Sequence, residues 1–489
     1  MYSKKHLTVI GSGFSGLASA CYAAKHGYAV SVYEKNDTIG GRARCFEEQG
    51  FVFDMGPSWY WMPDVFERFF SDFGKKVSDY YDLVKLDPGF QIFFKEQEPL
   101  AIPASIEELY NTFEQIEQGA AKQLQRFLKD AAYKYQVGMQ DLVHKPGLSI
   151  TEFMNMDVLR GVAKTHLFRS VKKHVAQYFK DERLVQLMEF PILFLGAMAK
   201  DIPALYTLMN HAALSQGTWY PMGGMHKIVE AMESLARELG VEFHTNAEVT
   251  RIDVEKNAAK SIIVNGSRVE TDYIIASGDY SFVEQHLLQQ QHRNYTKAYW
   301  DKKTFAPSSL IYYVGVNKKV KNLQHHNLFF DADFDGHAKE IYETKEWPKR
   351  PLFYVCCPSK TDSSVAPEGH ENLFILIPIA PGIEDTEAIR ERYFPQVIKR
   401  IEEHCGDEIA AHVIYKKSYC VNDFVKDYHA YKGNAYGLAN TLKQTAILKP
   451  SIRNKKVKNL IYTGQLTVPG PGVPPSLISG KLAYEQLAK

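Results

Sequence analysis

The chain has 489 residues, and domains typically hold about 100–200, so we expect more than one folded unit. Hydrophobic residues make up 45% and charged residues 24%, which leaves ample apolar material for a core. The formal net charge is +1, so no strong overall field attracts nucleic acid, and we expect no nucleic-acid partner.

The first predicted unit is a strand, a glycine turn, a helix and a second strand. Residues 7–10 form an apolar run of buried-strand length, and residues 17–25 repeat apolar side chains at helical spacing. Residues 29–33 resume a strand. The whole is a βαβ unit of about the thirty residues expected.

The turn of this unit reads G-x-G-x-x-G at Gly11, Gly13 and Gly16. The first glycine permits a tight turn, the second lets backbone approach a pyrophosphate, and the third lets the helix pack on the strand. Glu34 ends the second strand, near the spacing of about 20 residues at which an acid bonds the ribose hydroxyls. The pattern predicts a bound dinucleotide with a free 2′-hydroxyl; a structural turn without a nucleotide is the lesser alternative.

A second glycine pair, Gly40 and Gly41, precedes Arg42 and the segment FDMGPSWYW from Phe53. Such glycines can let backbone approach a bound group while the guanidinium reaches phosphate oxygens. Taken alone, a surface turn with a solvated arginine explains these residues equally well.

Further along, residues 105–215 are predicted to be largely helical, and residues 241–276 to form several short strands. The run LFILIPIAPG from Leu373 predicts a buried strand. A short strand in NLIYTGQ from Asn459 leads into a second glycine loop, QLTVPGPGVPP at 465–475, and then into a last helix, SLISGKLAYEQLAK.

The cysteines and the termini bear on metal binding and location. Six cysteines are scattered without a C-x-x-C pair, which predicts neither a zinc site nor a disulfide framework and fits a reducing cytoplasm. His325 and His326 are predicted to be a surface or loop pair rather than metal ligands. The N-terminus lacks a signal-peptide pattern. The longest apolar runs are about ten residues, whereas a spanning helix needs about 20, so the chain is not expected to cross a bilayer.

Together these segments resemble the flavin superfamily of amine oxidases, protoporphyrinogen oxidases and phytoene desaturases. At the N-terminal end, the resemblance rests on the dinucleotide unit and on the segments EKNDTIGGR and DMGPS. The segment VEFHTNAEV matches an element that comes later in the sequences of this superfamily. NLIYTGQLTVPGPGVPPSLISGK resembles the C-terminal flavin-binding signature of bacterial-type phytoene desaturases. FDMGPSWYWMPDVFERFF and WYPMGGMHKIVEAM are similar to flavobacterial members of that subgroup, and the resemblance covers nearly all of residues 1–489.

The resemblance implies one FAD, with its ADP half on the first glycine loop and its riboflavin half under the last. The backbone at Val249 would touch the adenine, and Gly470 would pass beside the isoalloxazine. Many members carry histidine at the position of Val468, so no histidine acts there in this chain. The predicted cofactor-binding residues are Gly11, Ser12, Gly13, Phe14, Ser15, Gly16, Glu34, Lys35, Gly41, Arg42, Gly56, Pro57, Ser58, Val249, Gly464, Gln465, Gly472, Val473 and Pro474.

The implied function is desaturation of phytoene toward lycopene in carotenoid biosynthesis, by hydride transfer to flavin N5. Alternatives are a desaturase of a later hydroxylated or cyclised carotenoid, a carotenoid cis–trans isomerase, and a prenyl-binding escort module without enzyme activity. No metal and no particular catalytic residue is predicted. The expected partners are the polyene, oxygen or a quinone as electron acceptor, and the inner face of the cell membrane, to which a cytoplasmic protein would attach peripherally.

The predicted fold is α/β, with a Rossmann-type FAD-binding domain assembled from both chain ends. An α+β substrate region and a helical, membrane-facing part are inserted into it. The predicted FAD-binding segments are 1–75, 216–290 and 446–489, with the helical substrate region at 76–215 and the α+β substrate region at 291–445.

Three local features have two interpretations each. Ser149 and Glu152 fit a helix-capping box better than a catalytic base. The aromatic residues Trp59, Tyr60, Trp61, Trp219 and Tyr220 either line a polyene tunnel or pack in the core. A basic amphipathic helix over Leu159–Phe179 is either an ordinary surface helix or a membrane-docking helix, and a water-insoluble substrate favours docking.

Overall fold

The computed structural model describes residues 4–153 and 169–487. Its strands are β1 His6–Ile10, β2 Ala29–Tyr33, β3 Cys45–Glu48, β4 Phe51–Asp54, β5 Leu83–Lys85, β6 Phe90–Phe94, β7 Leu100–Ile102, β8 Trp219–Pro221, β9 Glu242–His244, β10 Val249–Glu255, β11 Ala258–Val264, β12 Ser267–Glu270, β13 Tyr273–Ala276, β14 Ser308–Val316, β15 His326–Phe330, β16 Phe353–Cys356, β17 Glu371–Ile379, β18 Val413–Tyr419 and β19 Leu460–Tyr462. Its helices are α1 Phe14–Lys25, α2 Pro63–Ser71, α3 Ile106–Ile116, α4 Ala120–Val137, α5 Val171–Val175, α6 Glu182–Glu189, α7 Leu208–Asn210, α8 His226–Glu238, α9 Tyr280–Phe282, α10 Lys297–Asp301, α11 Phe334–Lys339, α12 Glu387–Cys405, α13 Val421–Tyr428 and α14 Val473–Leu487.

A five-stranded parallel sheet joins the two ends of the chain. Its order is β19-β13-β1-β2-β9, with every neighbouring pair parallel. Ligands of such sheets bind beyond the carboxyl ends of the strands, where the loops of adjacent strands share one edge. The loop after β1 and the loop after β19 therefore meet at this edge, which confirms the predicted assembly of a Rossmann-type α/β unit from both ends of the chain.

The first and last helices pack directly against each other. A Cβ atom on Gly480 of α14 would lie 2.5 Å from the Ser15 carbonyl oxygen and 2.7 Å from the Ala18 Cβ of α1, so this close approach requires glycine. Both predicted helices are confirmed, and both begin earlier than predicted, α1 at Phe14 and α14 at Val473.

A seven-stranded mixed sheet forms the second large layer, in the order β18-β14-β17-β16-β15-β6-β7. Its pairs are antiparallel except for β6 with β15. The buried strand predicted from Leu373 is β17, at the centre of this sheet. The short strands predicted within residues 241–276 are β9 to β13, and among the described residues between 105 and 215 the elements are helical, as predicted.

The predicted helix over Leu159–Phe179 is not continuous. Residues 154–168 lie outside the described residues, and Lys164 with them. Ser170 has an extended backbone and its Oγ accepts from the Lys173 N–H, so it begins a new short helix, α5. The prediction of one helix through this position is therefore wrong, because a serine N-cap starts a helix. In the described parts of the chain, no helix combines the length and apolarity needed to cross a bilayer.

Candidate active site

A cavity of about 540 Å³ lies between the carboxyl-end loops of the parallel sheet and one face of the seven-stranded sheet. This volume is within the range of about 300–1,000 Å³ that is typical of ligand and cofactor sites. The parallel-sheet loops contribute residues 10–15, 33–36, 277–279 and 463–466 to its wall. Residues of the seven-stranded sheet that line it are Ser309, Ile311, Leu328, Phe330, Phe353, Tyr354, Leu376 and Pro378.

The first glycine loop presents an uncapped helix end to this cavity. Gly13 is the N-cap of α1, and no side chain caps the helix, so its first N–H groups are available to an anion. A Cβ atom on Gly13 would meet nothing within 4 Å, whereas one on Gly16 would lie 2.2 Å from the Gly11 carbonyl oxygen. Gly13 therefore leaves room for a bound group, and Gly16 permits the turn itself to close.

Glu34 is buried at the end of the second strand and lines the cavity. One carboxylate oxygen accepts from the Ser12 N–H at 3.0 Å and the Ser12 hydroxyl at 2.7 Å. The other accepts from the Asn36 backbone N–H at 3.0 Å and side-chain amide at 2.9 Å. The acid is thus tied to the first glycine loop, and it lines the cavity.

The segment before β10 runs beside Glu34. The Ala247 N–H donates to the Glu34 carbonyl and the Asn246 N–H to the Asn36 carbonyl, both at 2.8 Å. This pairing places Val249 in the same end of the cavity. Lys35 also lines this end, and its ammonium donates to the carbonyl of Asp427 at 3.4 Å.

Arg42 supplies a half-buried cation to the cavity wall. Its Nη2 donates to the Asn434 carbonyl at 3.2 Å, its guanidinium lies 5.0 Å from the centre of the Tyr428 ring, and its Nε has no hydrogen-bond partner. Burial lowers the pKa of Arg42. A half-buried guanidinium whose buried Nε is an unused donor, near an uncapped helix end, fits the diphosphate of a dinucleotide.

The last glycine loop closes the cavity from the other side. Gly464 has φ of +103°, and a Cβ atom there would lie 3.1 Å from the Ser15 hydroxyl of the first loop. Gly472 has φ of +114° and comes directly before α14. The Gln465 amide donates to the Asn434 side chain at 3.2 Å. The two glycine loops that lie far apart in sequence therefore touch.

The structure brings the predicted cofactor residues together. All of them line the cavity except Gly16, which lies behind the wall. Gly41 and Gly56 also lie close to other segments of backbone. A Cβ atom on Gly41 would lie 3.1 Å from the Gly13 Cα, and one on Gly56 would lie 2.6 Å from the Arg42 carbonyl oxygen. The contacts of the predicted residues with FAD remain predictions. The uncapped N–H groups of α1, the Arg42 Nε and the glycines that leave room for a ligand fit this cofactor.

The five aromatic residues that either line a tunnel or pack in the core divide into two groups. Trp59 and Trp61 line the cavity, as the tunnel interpretation predicts. Tyr60 and Tyr220 are fully buried, and neither these two nor Trp219 lines the cavity. Core packing is therefore correct for those three.

Sequence reasoning missed the apolar part of the wall. Phe190, Phe330, Phe334, Leu352 and Leu376 line it. The carboxylates that line the cavity are Glu34, Glu248, Asp279 and Asp427, and each lies on the parallel-sheet side or on α13. Within the described chain, the part of the cavity faced by the seven-stranded sheet therefore has a largely apolar wall, which includes Ser309, Tyr354 and His337 but no carboxylate.

His337 is the histidine in this apolar part, and both of its ring nitrogens are occupied. Nδ1 accepts from the Leu352 N–H at 3.1 Å, so Nε2 carries the proton and donates to the Pro378 carbonyl at 3.0 Å. Burial lowers the pKa of His337 to about 4. A neutral ring locked in this way positions backbone and does not offer a free base.

The prediction of a surface or loop pair at His325 and His326 is wrong about the surface, although His325 does lie in the loop before β15. Their side chains are 3% and 0% exposed, and His326 begins β15. Every residue of β15 is buried, so both faces of the sheet are covered at this strand and neither His326 nor the residue before it reaches water.

Glu152 has the capping role that the sequence predicts. Its carboxylate accepts from the N–H groups of Gly147, Leu148 and Ser149 at 2.9, 2.9 and 3.1 Å, and it does not line the cavity. The Ser149 hydroxyl accepts from the Thr151 N–H at 3.2 Å, one residue earlier than in a standard capping box.

Replacing Glu152 by Gln is expected to lower stability and to leave the chemical step nearly intact. Loss of a cap costs about 0.5–2 kcal/mol, whereas loss of a general base costs about 10²–10⁴-fold in rate. Thermal unfolding and single-turnover flavin reduction would measure the two effects. Ser105→Ala, which removes the N-cap of α3, is the matched control. A loss of base-like size with flavin content and fold intact would make Glu152 the base.

Comparison with known proteins identifies one family, and the similar proteins include carotenoid desaturases. The family model for flavin containing amine oxidoreductases matches residues 14–487. A carotenoid 3,4-desaturase from Haloarcula japonica is 41% identical over 486 residues, covering 99% of this chain and 98% of that protein. A zeta-carotene-forming phytoene desaturase from Myxococcus xanthus is 29% identical, with 99% and 94% covered. The crystal structure of an oxidoreductase from Methanosarcina mazei has the same fold, with a TM-score of 0.62 at 16% identity and 98% and 100% covered.

Proposed function

The chain belongs to the family of flavin-containing amine oxidoreductases, as an FAD-dependent oxidoreductase of the carotenoid desaturase type, and we propose that it introduces a 3,4 double bond into an already conjugated carotenoid. The sequence alone predicts phytoene as the substrate. The carotenoid 3,4-desaturase, at 41% identity over the full length, favours a conjugated carotenoid as the substrate. The relative that is named a phytoene desaturase is less similar, at 29% identity.

The chemistry of the apolar wall supports desaturation of a hydrocarbon. FAD supplies the acceptor for the hydride, and the protein supplies placement and a dry environment. Phe330, Leu352 and Leu376 offer a polyene contact surface without a charge that must be desolvated. A hydride that leaves an allylic carbon generates a cation that the polyene spreads, and the spread is wider in a conjugated carotenoid than in phytoene.

No side-chain base is required in this proposal. The lining carboxylates are on the nucleotide side, and His337 has no free nitrogen. Placement can contribute about 7–11 kcal/mol to lowering a barrier, whereas a general base contributes about 10²–10⁴-fold. The carbon next to the cation becomes strongly acidic, so a weak acceptor suffices for the proton.

The test is a comparison of substrates. The FAD-loaded protein is incubated in liposomes with phytoene, lycopene or a hydroxylated acyclic carotenoid, each in a separate reaction, and products are identified by chromatography and mass. Loss of two hydrogens from lycopene or its hydroxylated form, with phytoene unchanged, is the expected result. Conversion of phytoene to lycopene would overturn the choice of substrate, and products of unchanged mass would overturn desaturation in favour of isomerisation.

We further propose that the protein collects this substrate from a bilayer surface, as a peripheral protein at the inner face of the membrane. Leu148, Ile447 and Leu448 are exposed by 41%, 38% and 50%. Their two loops adjoin, because a Cβ atom on Gly147 would lie 3.2 Å from the Ala446 carbonyl oxygen. Leu148 lies five residues after Val143, which lines the cavity, so this apolar surface is connected along the chain to the cavity wall.

Changing Leu148 and Leu448 together to Glu is expected to reduce vesicle binding by at least about tenfold, because burial of each leucine contributes roughly 1.5–3 kcal/mol. Sedimentation with anionic vesicles measures this. Val425→Glu, at a residue that is 44% exposed on α13, is the matched control and should bind normally. Equal sedimentation of both variants and the parent would remove these loops from the membrane contact.

We retain the predicted five-segment division of the chain as a proposal. The parallel sheet takes strands from 1–75, 216–290 and 446–489, which supports it. Oxygen or a membrane quinone is the proposed electron acceptor.

A further inference from the structure

A buried cluster of two histidines and one cysteine lies behind the cavity wall. One ligand atom each from His325, His326 and Cys356 lies within 4.8 Å of the others. His326 and Cys356 are direct partners across the antiparallel pair β15–β16, and the Cys357 N–H donates to the His325 carbonyl at 2.8 Å. Directly opposed residues of such a pair place their side chains on the same face of the sheet. Two members of the cluster therefore lie in the sheet, and His325 directly precedes β15 and is tied to β16 by this backbone hydrogen bond.

The hydrogen bonds of the two imidazoles leave a nitrogen of each ring unused. The Tyr354 hydroxyl donates to the Ser58 Oγ at 3.0 Å, so at 2.6 Å it accepts from the His326 Nδ1–H. The His325 Nδ1 contacts the Thr361 hydroxyl at 2.8 Å. Both Nε2 atoms are buried without a hydrogen-bond partner. An imidazole held by an oxygen at one nitrogen, with a lone pair free at the other, is the usual arrangement of a metal ligand.

Both imidazole rings also contact aromatic side chains. The His326 ring stacks on the Trp59 ring at 4.1 Å, and the Tyr220 ring packs edge-on at 4.6 Å against His325.

A small cavity of about 30 Å³ adjoins the cluster and is lined by His325, Cys356 and Asp54, among others. One water needs a cavity of about 10–15 Å³, so a water fits beside the cluster as a further ligand. The Asp54 carboxylate and a Cys356 thiolate would balance the two charges of a divalent cation. Ligand atoms around tetrahedral zinc lie roughly 3.3–3.8 Å apart, so the cluster needs to close by only about 1 Å.

We propose that His325, His326 and Cys356 bind a zinc ion, with a water as the fourth ligand, and that this site fixes the wall formed by Ser58, Trp59 and Tyr354. Two imidazoles and one thiolate are ligands that suit Zn²⁺. Binding replaces the Cys356 thiol proton, which leaves to solvent, as the sulfur–zinc bond forms. The site is distinct from the flavin and polyene contacts and does not depend on which carotenoid is used.

The test measures zinc in the FAD-loaded protein produced in zinc-supplemented medium. Elemental analysis is expected to give one zinc ion per chain, and zinc-edge X-ray absorption to give one sulfur at about 2.3 Å with nitrogens at about 2.0 Å. Cys356→Ser and His326→Gln should each lose the zinc.

Cys357→Ser is the matched control, because the Cys357 sulfur contacts the Ser359 hydroxyl at 3.6 Å and lies in the core between the seven-stranded sheet and α12, so it should not matter for zinc. Chelator treatment of the parent during thermal unfolding should lower its midpoint and leave that of Cys356→Ser unchanged. A zinc content near zero in the correctly folded parent, or a spectrum without a sulfur neighbour, would overturn the site. This readout of the parent decides the question even if a variant fails to fold.

Discussion

Replacement of Glu34 by alanine is expected to weaken FAD binding by roughly ten- to a hundredfold, which corresponds to the loss of about 1.5–3 kcal/mol in charge-assisted hydrogen bonds. Glu34 is buried at the ADP end of the predicted site, beside the uncapped start of α1. The structure adds a second reason: its carboxylate also holds Ser12 and Asn36. Its removal leaves those donors unpaired and loosens the first glycine loop.

Fluorescence titration of the flavin-free protein with FAD and with ADP separates these effects from general damage. ADP affinity should fall in parallel with FAD affinity, because the acid is predicted to bind the ribose of the ADP half. Glu248→Ala is the matched control: its carboxylate lines the same end but pairs with His429 at 2.8 Å. Parent-like FAD affinity in the Glu34 variant would remove this residue from the site.

The nucleotide half of the site could be predicted from sequence because its signals are local. Gly11, Gly13 and Gly16 stand at fixed spacing beside one strand and one helix; the backbone requires glycine at Gly11 and Gly16, and Gly13 leaves room for a bound group. Their meeting with Gly464 depends on β1, β13 and β19 being neighbours, which the sequence alone does not state. The resemblance at both chain ends supplied that link.

The apolar half could not be predicted because its signal is not local. Leu376 faces the cavity, whereas Ile375 and Ile377 face the core between the seven-stranded sheet and α12. A strand that is apolar on both faces shows no alternation in its sequence. The same cause misplaced His325 and His326, because nothing in a dipeptide tells whether the sheet beside it is covered. The capping interpretation of Glu152 succeeded because a cap depends on residues that are adjacent in sequence.

The substitution Leu376→Trp is expected to abolish most turnover while FAD remains bound. Leu376 lies in β17 opposite Ile311 of β14 and Tyr354 of β16, and all three line the cavity. Leu376 is only partly buried because its side chain borders that space, so the larger indole can extend into it. A displacement of about 1 Å in a reacting substrate can cost a hundredfold in rate, and an indole in the polyene path should cost at least that much in kcat/KM.

Three measurements make this result specific to the substrate path. The flavin content and the thermal midpoint of Leu376→Trp should stay near those of the parent, because the cofactor residues lie on the parallel-sheet side. Leu376→Ala widens the same place and should keep FAD and much of the turnover. Ile414→Trp adds an indole to the outer strand β18 at a residue that is 44% exposed, and should change nothing. If Leu376→Trp keeps parent-like kcat/KM, the polyene does not pass over this face of the seven-stranded sheet, and the apolar wall has another role.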